Sequence, residues 1–104
     1  MCSKSKEVKI SLTNPQNLAV AFDGYYILNQ GNQEPMTGTT PKDYEFSMKK
    51  GDQLSGIVYK SDSTNFTDTL RFQVYIDDVE QPSLLRNIVI PTQLGGIQFQ
   101  FTVQ

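Results

Sequence analysis

The densest acidic cluster in the chain is Asp77-Asp78-Val79-Glu80, and such a cluster has two chemical uses. Asp77, Asp78 and Glu80 could hold Ca²⁺ through carboxylate oxygens, with Asp23 or Asp52 arriving from another turn. Alternatively, two carboxylates could form a glycosidase pair, one acid with a raised pKa across a cleft from its partner. A solvated hairpin turn explains the cluster more simply, because Asp hydrogen-bonds its own backbone. Asp43 and Glu45 share a strand face, where a position near Lys49 or Lys50 accounts for them. A hydrolase would have to bring Asp43 or Glu45 beside Asp77 or Asp78, and a chain of 104 residues has little room for that cleft. There is no histidine and one cysteine, which removes Ser–His and Cys–His nucleophiles and His or thiolate zinc sites. No Gly-rich phosphate loop is present. The expectation is a non-enzymatic protein with no cofactor beyond Ca²⁺.

The adjacent aromatics Tyr25 and Tyr26 suggest a different kind of site. Neighbouring strand residues point to opposite faces, so one of the two tyrosines is expected at the surface. Asn29, Gln30 and Asn32 follow closely in sequence. An aromatic platform with amide groups beside it stacks on sugars or anchors a protein partner. A tyrosine spanning the sandwich edge with its hydroxyl bonded is the structural alternative.

Charge excludes other partners. Nine basic residues stand against eleven acidic ones, a net charge of −2, and only Lys49-Lys50 are adjacent. Nucleic-acid binding needs clustered cations, so nucleic acid is not expected. No apolar run approaches the ~20 residues of a membrane helix.

The elements that must position these residues alternate with a period of two. Val8, Ile10 and Leu12 alternate with polar neighbours, as do Leu70, Phe72, Val74 and Ile76, and then Ile97, Phe99, Phe101 and Val103. Each run has one buried and one wet face, the pattern of antiparallel sheets. Leu18–Phe22, Tyr25–Asn29, Asp43–Met48 and Gln53–Lys60 fit the same scheme. Asp23-Gly24, Gln30-Gly31-Asn32, Lys50-Gly51-Asp52, Asp62–Asn65, Asp77-Asp78 and Gly95-Gly96 supply turn chemistry. Ser83, after Pro82, is a candidate cap for a short helical turn before Asn87–Ile90 extends. Gln30–Lys42 reads as the longest loop or an irregular edge. The sum is an all-β, antiparallel two-sheet sandwich of about seven or eight strands, immunoglobulin-like in broad architecture. Residues 8–104 form one domain behind a flexible tether at 1–7. The last strand is expected to complete this domain's own core, where burying its apolar residues is worth ~6–12 kcal/mol. A monomer is the expected state, although an apolar terminal strand can also serve as an edge for another subunit.

Cys2 directly follows Met1 and precedes the hydrophilic Ser3-Lys4-Ser5-Lys6-Glu7 run. This start resembles that of a mature bacterial lipoprotein, with Met1 standing where a signal peptide was removed. Further residues carry a wider resemblance: Gly24-Tyr25-Tyr26-Ile27, Gly38-Thr39-Thr40-Pro41 leading into Tyr44-Glu45-Phe46, and Gly51-Asp52 with Leu54-Ser55-Gly56 and Val58-Tyr59-Lys60. Val74-Tyr75-Ile76-Asp77-Asp78 and Gly95-Gly96-Ile97 complete the order. Together they resemble small secreted lipoproteins of Bacteroidetes-type bacteria, built as single immunoglobulin-like or transthyretin-like sandwiches. They are more loosely similar to the soluble domain of the mycobacterial "membrane protein, small" family. The resemblance implies a lipid on Cys2 and an outer-membrane location and carries over no catalytic or ligand-binding residue; the exposed surface around Tyr25 and Tyr26 gives the expected binding or accessory role toward a surface protein or glycan. A carbohydrate-binding or calcium-dependent ligand-binding module is the alternative. It also implies O-glycosylation at Ser63 and Thr69, in Asp62-Ser63-Thr64 and Asp68-Thr69-Leu70. Asn65-Phe66-Thr67 has the form of an N-glycosylation acceptor for a eukaryotic secretory route.

Overall fold

The structure, a computed structural model, describes residues 5–91 and 96–104. The alternating runs become strands β1 (Lys6–Thr13), β2 (Ala21–Leu28), β5 (Lys42–Met48), β6 (Gln53–Lys60), β7 (Leu70–Ile76) and β10 (Ile97–Thr102). Shorter pieces complete the set: β3 (Glu34–Pro35), β4 (Gly38–Thr39), β8 (Val79–Glu80) and β9 (Arg86–Ile88). Among the described residues the count reaches ten because two edges are broken into fragments. β3 and β4 both pair with β2, while β8 and β9 both pair with β7. The irregular edge expected in Gln30–Lys42 is this β3–β4 pair. Pairing of β1 begins at Lys6, two residues before Val8, because Lys6 and Glu7 lie opposite Met48 and Ser47.

The sheets are antiparallel, in the orders β5-β1-β7-β8 and β10-β6-β2-β3. Consecutive long strands always lie in opposite sheets, so the chain crosses the sandwich at each step. The apolar parity of each run is thereby satisfied from both sides. Val8, Ile10, Leu12, Phe72 and Val74 from one sheet meet Phe22, Leu54, Val58, Ile97 and Phe99 from the other, all buried. Aromatic pairs tie the layers together: Phe72 stacks on Phe99 at 4.9 Å between ring centroids, and Tyr26 meets Phe46 edge-on, also at 4.9 Å. The terminal strand completes its own domain's core.

Three local expectations need correction. Asp23-Gly24 is strand interior rather than a turn: β2 runs through it, with Gly24 opposite Val58. A Cβ on Gly24 would lie 2.0 Å from the Ile57 carbonyl oxygen, so close backbone approach, not chain reversal, requires glycine here. Leu18–Val20 is not strand. Asn14 Oδ1 accepts from the Leu18 N–H at 3.1 Å, and the Thr40 hydroxyl donates to the Leu18 carbonyl and accepts from the Val20 N–H. These side chains take the groups that a strand ladder would use. Finally, the turn at Pro82–Leu84 is 3₁₀, with Gln81 at its N-cap, and Ser83 lies inside it.

Candidate functional site

Strand β2 decides the fate of the two tyrosines. Phe22, Gly24, Tyr26 and Leu28 face inward, so Tyr26 packs on the core. Tyr25 takes the opposite face, half-buried on the outer side of the β10-β6-β2 sheet. Register then supplies its neighbours. Pro35, Tyr25, Ile57 and Gln98 form one row across the sheet, and Ile27, Ser55 and Gln100 form the next. Between these rows runs a shallow, open groove of about 340 Å³, lined by Tyr25, Ile27, Ser55, Ile57, Gln98 and Gln100. Gly56 opens its floor. A Cβ there would meet the Tyr25 carbonyl oxygen at 2.2 Å and Phe99 Cζ at 2.7 Å, so only glycine lets the strands lie this close.

Among the described residues no charged side chain lines the groove. It offers a phenol ring, aliphatic surface, a hydroxyl and two primary amides. Such a surface stacks against an apolar face while donating and accepting hydrogen bonds at its sides. Its components can bind; among the lining residues there is no acid–base or nucleophilic pair of the kind bond-breaking chemistry uses.

The remaining expected companions of Tyr25 are elsewhere. Asn29, at φ 56°, closes the end of β2: its Oδ1 accepts from the Gln53 N–H at 2.9 Å and its Nδ2 reaches Asp52 Oδ1 at 3.4 Å. Gln30 and Asn32 are exposed in the following loop and do not line the groove. Sequence proximity placed them near Tyr25, whereas a strand carries the chain away at ~3.3 Å per residue.

The acidic residues are dispersed or already engaged. Asp77 and Asp78 have φ of 50° and 64°, as the two-residue reversal from β7 to β8 requires. Asp77 Oδ1 accepts from the Glu7 N–H at 2.9 Å. Glu80 lies on β8 opposite Tyr75. Asp23 accepts from Gly24 N–H and the Thr37 hydroxyl, and Asp52 accepts from the Lys49 N–H. Among the described residues no three His, Cys, Asp or Glu side chains are grouped to hold a metal ion. Glu45 and Asp78 do border one depression of about 200 Å³, together with Glu7 and Lys9. The Lys9 ammonium there lies 4.8 Å from the centre of the Tyr75 ring.

Cys2 lies outside the described residues, as does Gly95. Ser63 is exposed in the 61–69 loop, and Thr69 is half-buried immediately before β7, its carbonyl accepting from Asn14 Nδ2. The Asn65 amide is occupied: Nδ2 donates to Asp68 Oδ2 while Oδ1 accepts from Lys60.

The alternating pattern alone leaves Lys60 as an ordinary strand-end residue. It is 1% exposed, and its ammonium donates to the carbonyls of Asn65, Asp68 and Val89 at 2.6–2.7 Å, and to Asn65 Oδ1 at 3.0 Å. A sign of its burial is that the parity of Leu54, Gly56 and Val58 continues to position 60. Burial lowers the Lys60 pKa from its ordinary 10.5, and the charges of Asp68 and Asp62 oppose that shift. Burial raises the Tyr44 hydroxyl above 10.0, against a main-chain hydrogen bond from Thr37. Asp62 is lowered from 3.8, first by the Thr64 hydroxyl and then by the Thr64 N–H.

The fold and groove define the class: a two-sheet antiparallel β-sandwich with a neutral, aromatic-bearing sheet face. No family model matches this chain, and neither a curated protein nor a solved structure matches it. No helix among the described residues is long and apolar enough to cross a membrane.

Proposed function

We propose that this chain is a non-enzymatic binding module of the cell envelope, held at the outer membrane by a lipid on Cys2. Its recognition surface is the outer face of the β10-β6-β2 sheet around Tyr25. The observation that supports this reading is the groove itself. Tyr25 is turned out of the core beside Ser55, Gln98 and Gln100 on paired strands, which fix the spacing of the ring and the amides. Tyrosine is among the residue types enriched at the hot spots of protein interfaces.

The absence of charge in the groove also supports a more specific version, in which the ligand is a neutral glycan. A sugar ring stacks on tyrosine through its C–H face, and its hydroxyls match amide donors and acceptors.

The test is an envelope glycan and protein screen with the wild-type chain, followed by Tyr25→Ala. A ligand using this face shifts the NMR amide signals of Ile57, Ser55, Gln98 and Gln100. Tyr25→Ala then weakens binding roughly thirtyfold, a hot-spot cost of about 2 kcal/mol, with the thermal midpoint retained. Binding that is indifferent to Tyr25→Ala refutes this surface. The anchor is tested separately by the intact mass of the native protein from a membrane fraction. An unmodified Met1-Cys2 in the soluble fraction refutes it.

A further inference from the structure

Successive residues of an antiparallel strand turn their main-chain N–H and C=O groups to alternate sides. Val103, just past β10, faces β6: its N–H donates to the Asp52 carbonyl at 2.9 Å, and its own carbonyl accepts from the Gly51 N–H at 2.8 Å. By alternation Ile97, Phe99 and Phe101 face β6 as well, opposite Val58, Gly56 and Leu54. The N–H and C=O groups of Gln98, Gln100 and Thr102 therefore point away from the sheet. Among the described residues no strand pairs with that side.

The other edges of the sandwich are guarded. Beside β2 the edge is split into β3 and β4 and carries Pro35, and beside β7 it is split into β8 and β9 around Pro82. Strand β5 is a full-length edge, but its exposed side is acidic. Glu7 turns its main chain toward Asp77, so Val8 and Ile10 face β5, and Asp43, Glu45 and Ser47 are left at the open side. In the register centred on Glu45, two copies joined there would set carboxylates against each other, which is unfavourable across a strand pair. From Ile97 to Gln104 there is no charged side chain and no proline. Natural sheets use charge, proline and broken strands to keep edges from pairing, and β10 has none of these.

We propose that β10 is a homodimerisation edge, joined antiparallel to the β10 of a second copy about a two-fold axis at Gln100. The second copy is the occupant because the strand is complementary to itself in this register. Gln100 exchanges both main-chain hydrogen bonds with the partner's Gln100, and Gln98 does so with the partner's Thr102. The outward-pointing groups of Gln98, Gln100 and Thr102 are thereby used, the Thr102 carbonyl exchanging its 3.5 Å contact with the Gln104 amide for the partner strand. On the core side Phe99 lies beside the partner's Phe101 and Ile97 beside the partner's Val103, so apolar meets apolar and no charges meet. The cleft of about 550 Å³ that flanks this edge, lined by Ile76, Val79, Leu84 and Phe101 and also by Lys6 and Asp77, is turned toward the partner. Val79, 62% exposed, is covered there. The sheet faces carrying Tyr25 become one continuous, two-fold surface.

Sedimentation velocity of the full chain, with reductant present so that Cys2 cannot form a disulfide, tests this. The wild type is expected at twice the chain mass of 11.7 kDa. Gln100→Lys and Gln100→Glu each place like charges at the axis and are expected at the single mass, with wild-type circular dichroism because residue 100 is exposed. Mixed in equal amounts, the two variants are expected to return to the double mass. Asp43→Lys on the β5 edge is expected to leave the wild-type mass unchanged. A wild type that stays at the single mass overturns the proposal. So does a Gln100→Lys variant that dimerises like the wild type, a mixture that does not recombine, or an Asp43→Lys variant that dissociates. The readout is mass, so its failure leaves the Tyr25 reading untouched.

Discussion

Replacing Lys60 by methionine isolates what its buried ammonium contributes, because the apolar stem is roughly conserved and only the charged head is lost. The head bridges Asn65 and Asp68 in the 61–69 loop to Val89 in the segment after β9. Two terms oppose each other. Burying an ammonium is costly, and the lowered pKa of Lys60 has that origin. Against this stand hydrogen bonds from a charged donor, each worth ~1.5–3 kcal/mol net, and carbonyls that cost ~1–3 kcal/mol apiece if left buried without a partner. The loop is half-exposed, so water can reach some of the freed carbonyls, and the full sum is an upper bound. A loss of ~2–4 kcal/mol follows, against a total stability of roughly 5–15 kcal/mol for a domain. The thermal midpoint should then fall by roughly 10–30 °C.

The assay is urea unfolding of wild type and Lys60→Met, with native-state hydrogen exchange. Lys60→Met should lower the midpoint concentration and strip protection first from amides in 61–69 and around Val89, before those of β1 and β7. Arginine should not rescue it, since its planar, larger head does not fit acceptors arranged around a single nitrogen. The reasoning fails if Lys60→Met is as stable as wild type or more so. That result would mean that desolvation outweighs the hydrogen bonds, as happens for some buried ion pairs.

Gly56→Ala forces a Cβ to 2.2 Å from the Tyr25 carbonyl oxygen, which the strands cannot absorb; a loss of at least ~1–3 kcal/mol is expected in urea unfolding. Asp78→Gly relieves a positive φ of 64° in a turn that favours glycine second, and should add ~0.5–1 kcal/mol in the same assay. Calcium should leave the thermal midpoint of the wild type unchanged, because a ligand that binds only the folded state would raise it. For Asp62, the folded-state pKa lies below 3.8, so its contribution is present above the unfolded value and lost as pH falls through the folded one. Carboxyl ¹³C NMR should place its midpoint below 3.8, and Thr64→Ala should move it part of the way back.

The sequence disclosed most where a residue's role depended on its own strand. Val8, Ile10 and Leu12, or Ile97, Phe99 and Val103, are buried as their alternation requires, and a two-sheet sandwich follows from runs with one wet face. It disclosed least where the role depended on a neighbouring strand. Asp23-Gly24 has turn chemistry, but whether a glycine reverses the chain or admits another backbone is settled by what lies opposite, here the Ile57 carbonyl. The site behaved the same way. That one of Tyr25 and Tyr26 points outward follows from the period of two. Which residues flank it follows from register, and register joins Tyr25 to Ile57 and Gln98, dozens of positions away in the chain, instead of to Asn29 or Asn32.

The same parity links the groove to the open edge. The inward-facing residues of β10 face β6 with their main chains, while Gln98 and Gln100 turn their side chains to the groove and their main chains to the unpaired side. These two glutamines therefore serve the Tyr25 surface through their amides and the edge through their backbone. The two roles separate experimentally. Substituting a Gln100 side chain alters both amide chemistry and the charge at the axis, whereas Tyr25, two strands from the edge, alters only the groove. Tyr25→Ala should accordingly leave the sedimenting mass unchanged while weakening the ligand. If it changed the mass instead, Tyr25 would belong to a contact between copies, and the surface assigned to an envelope ligand would be part of that contact.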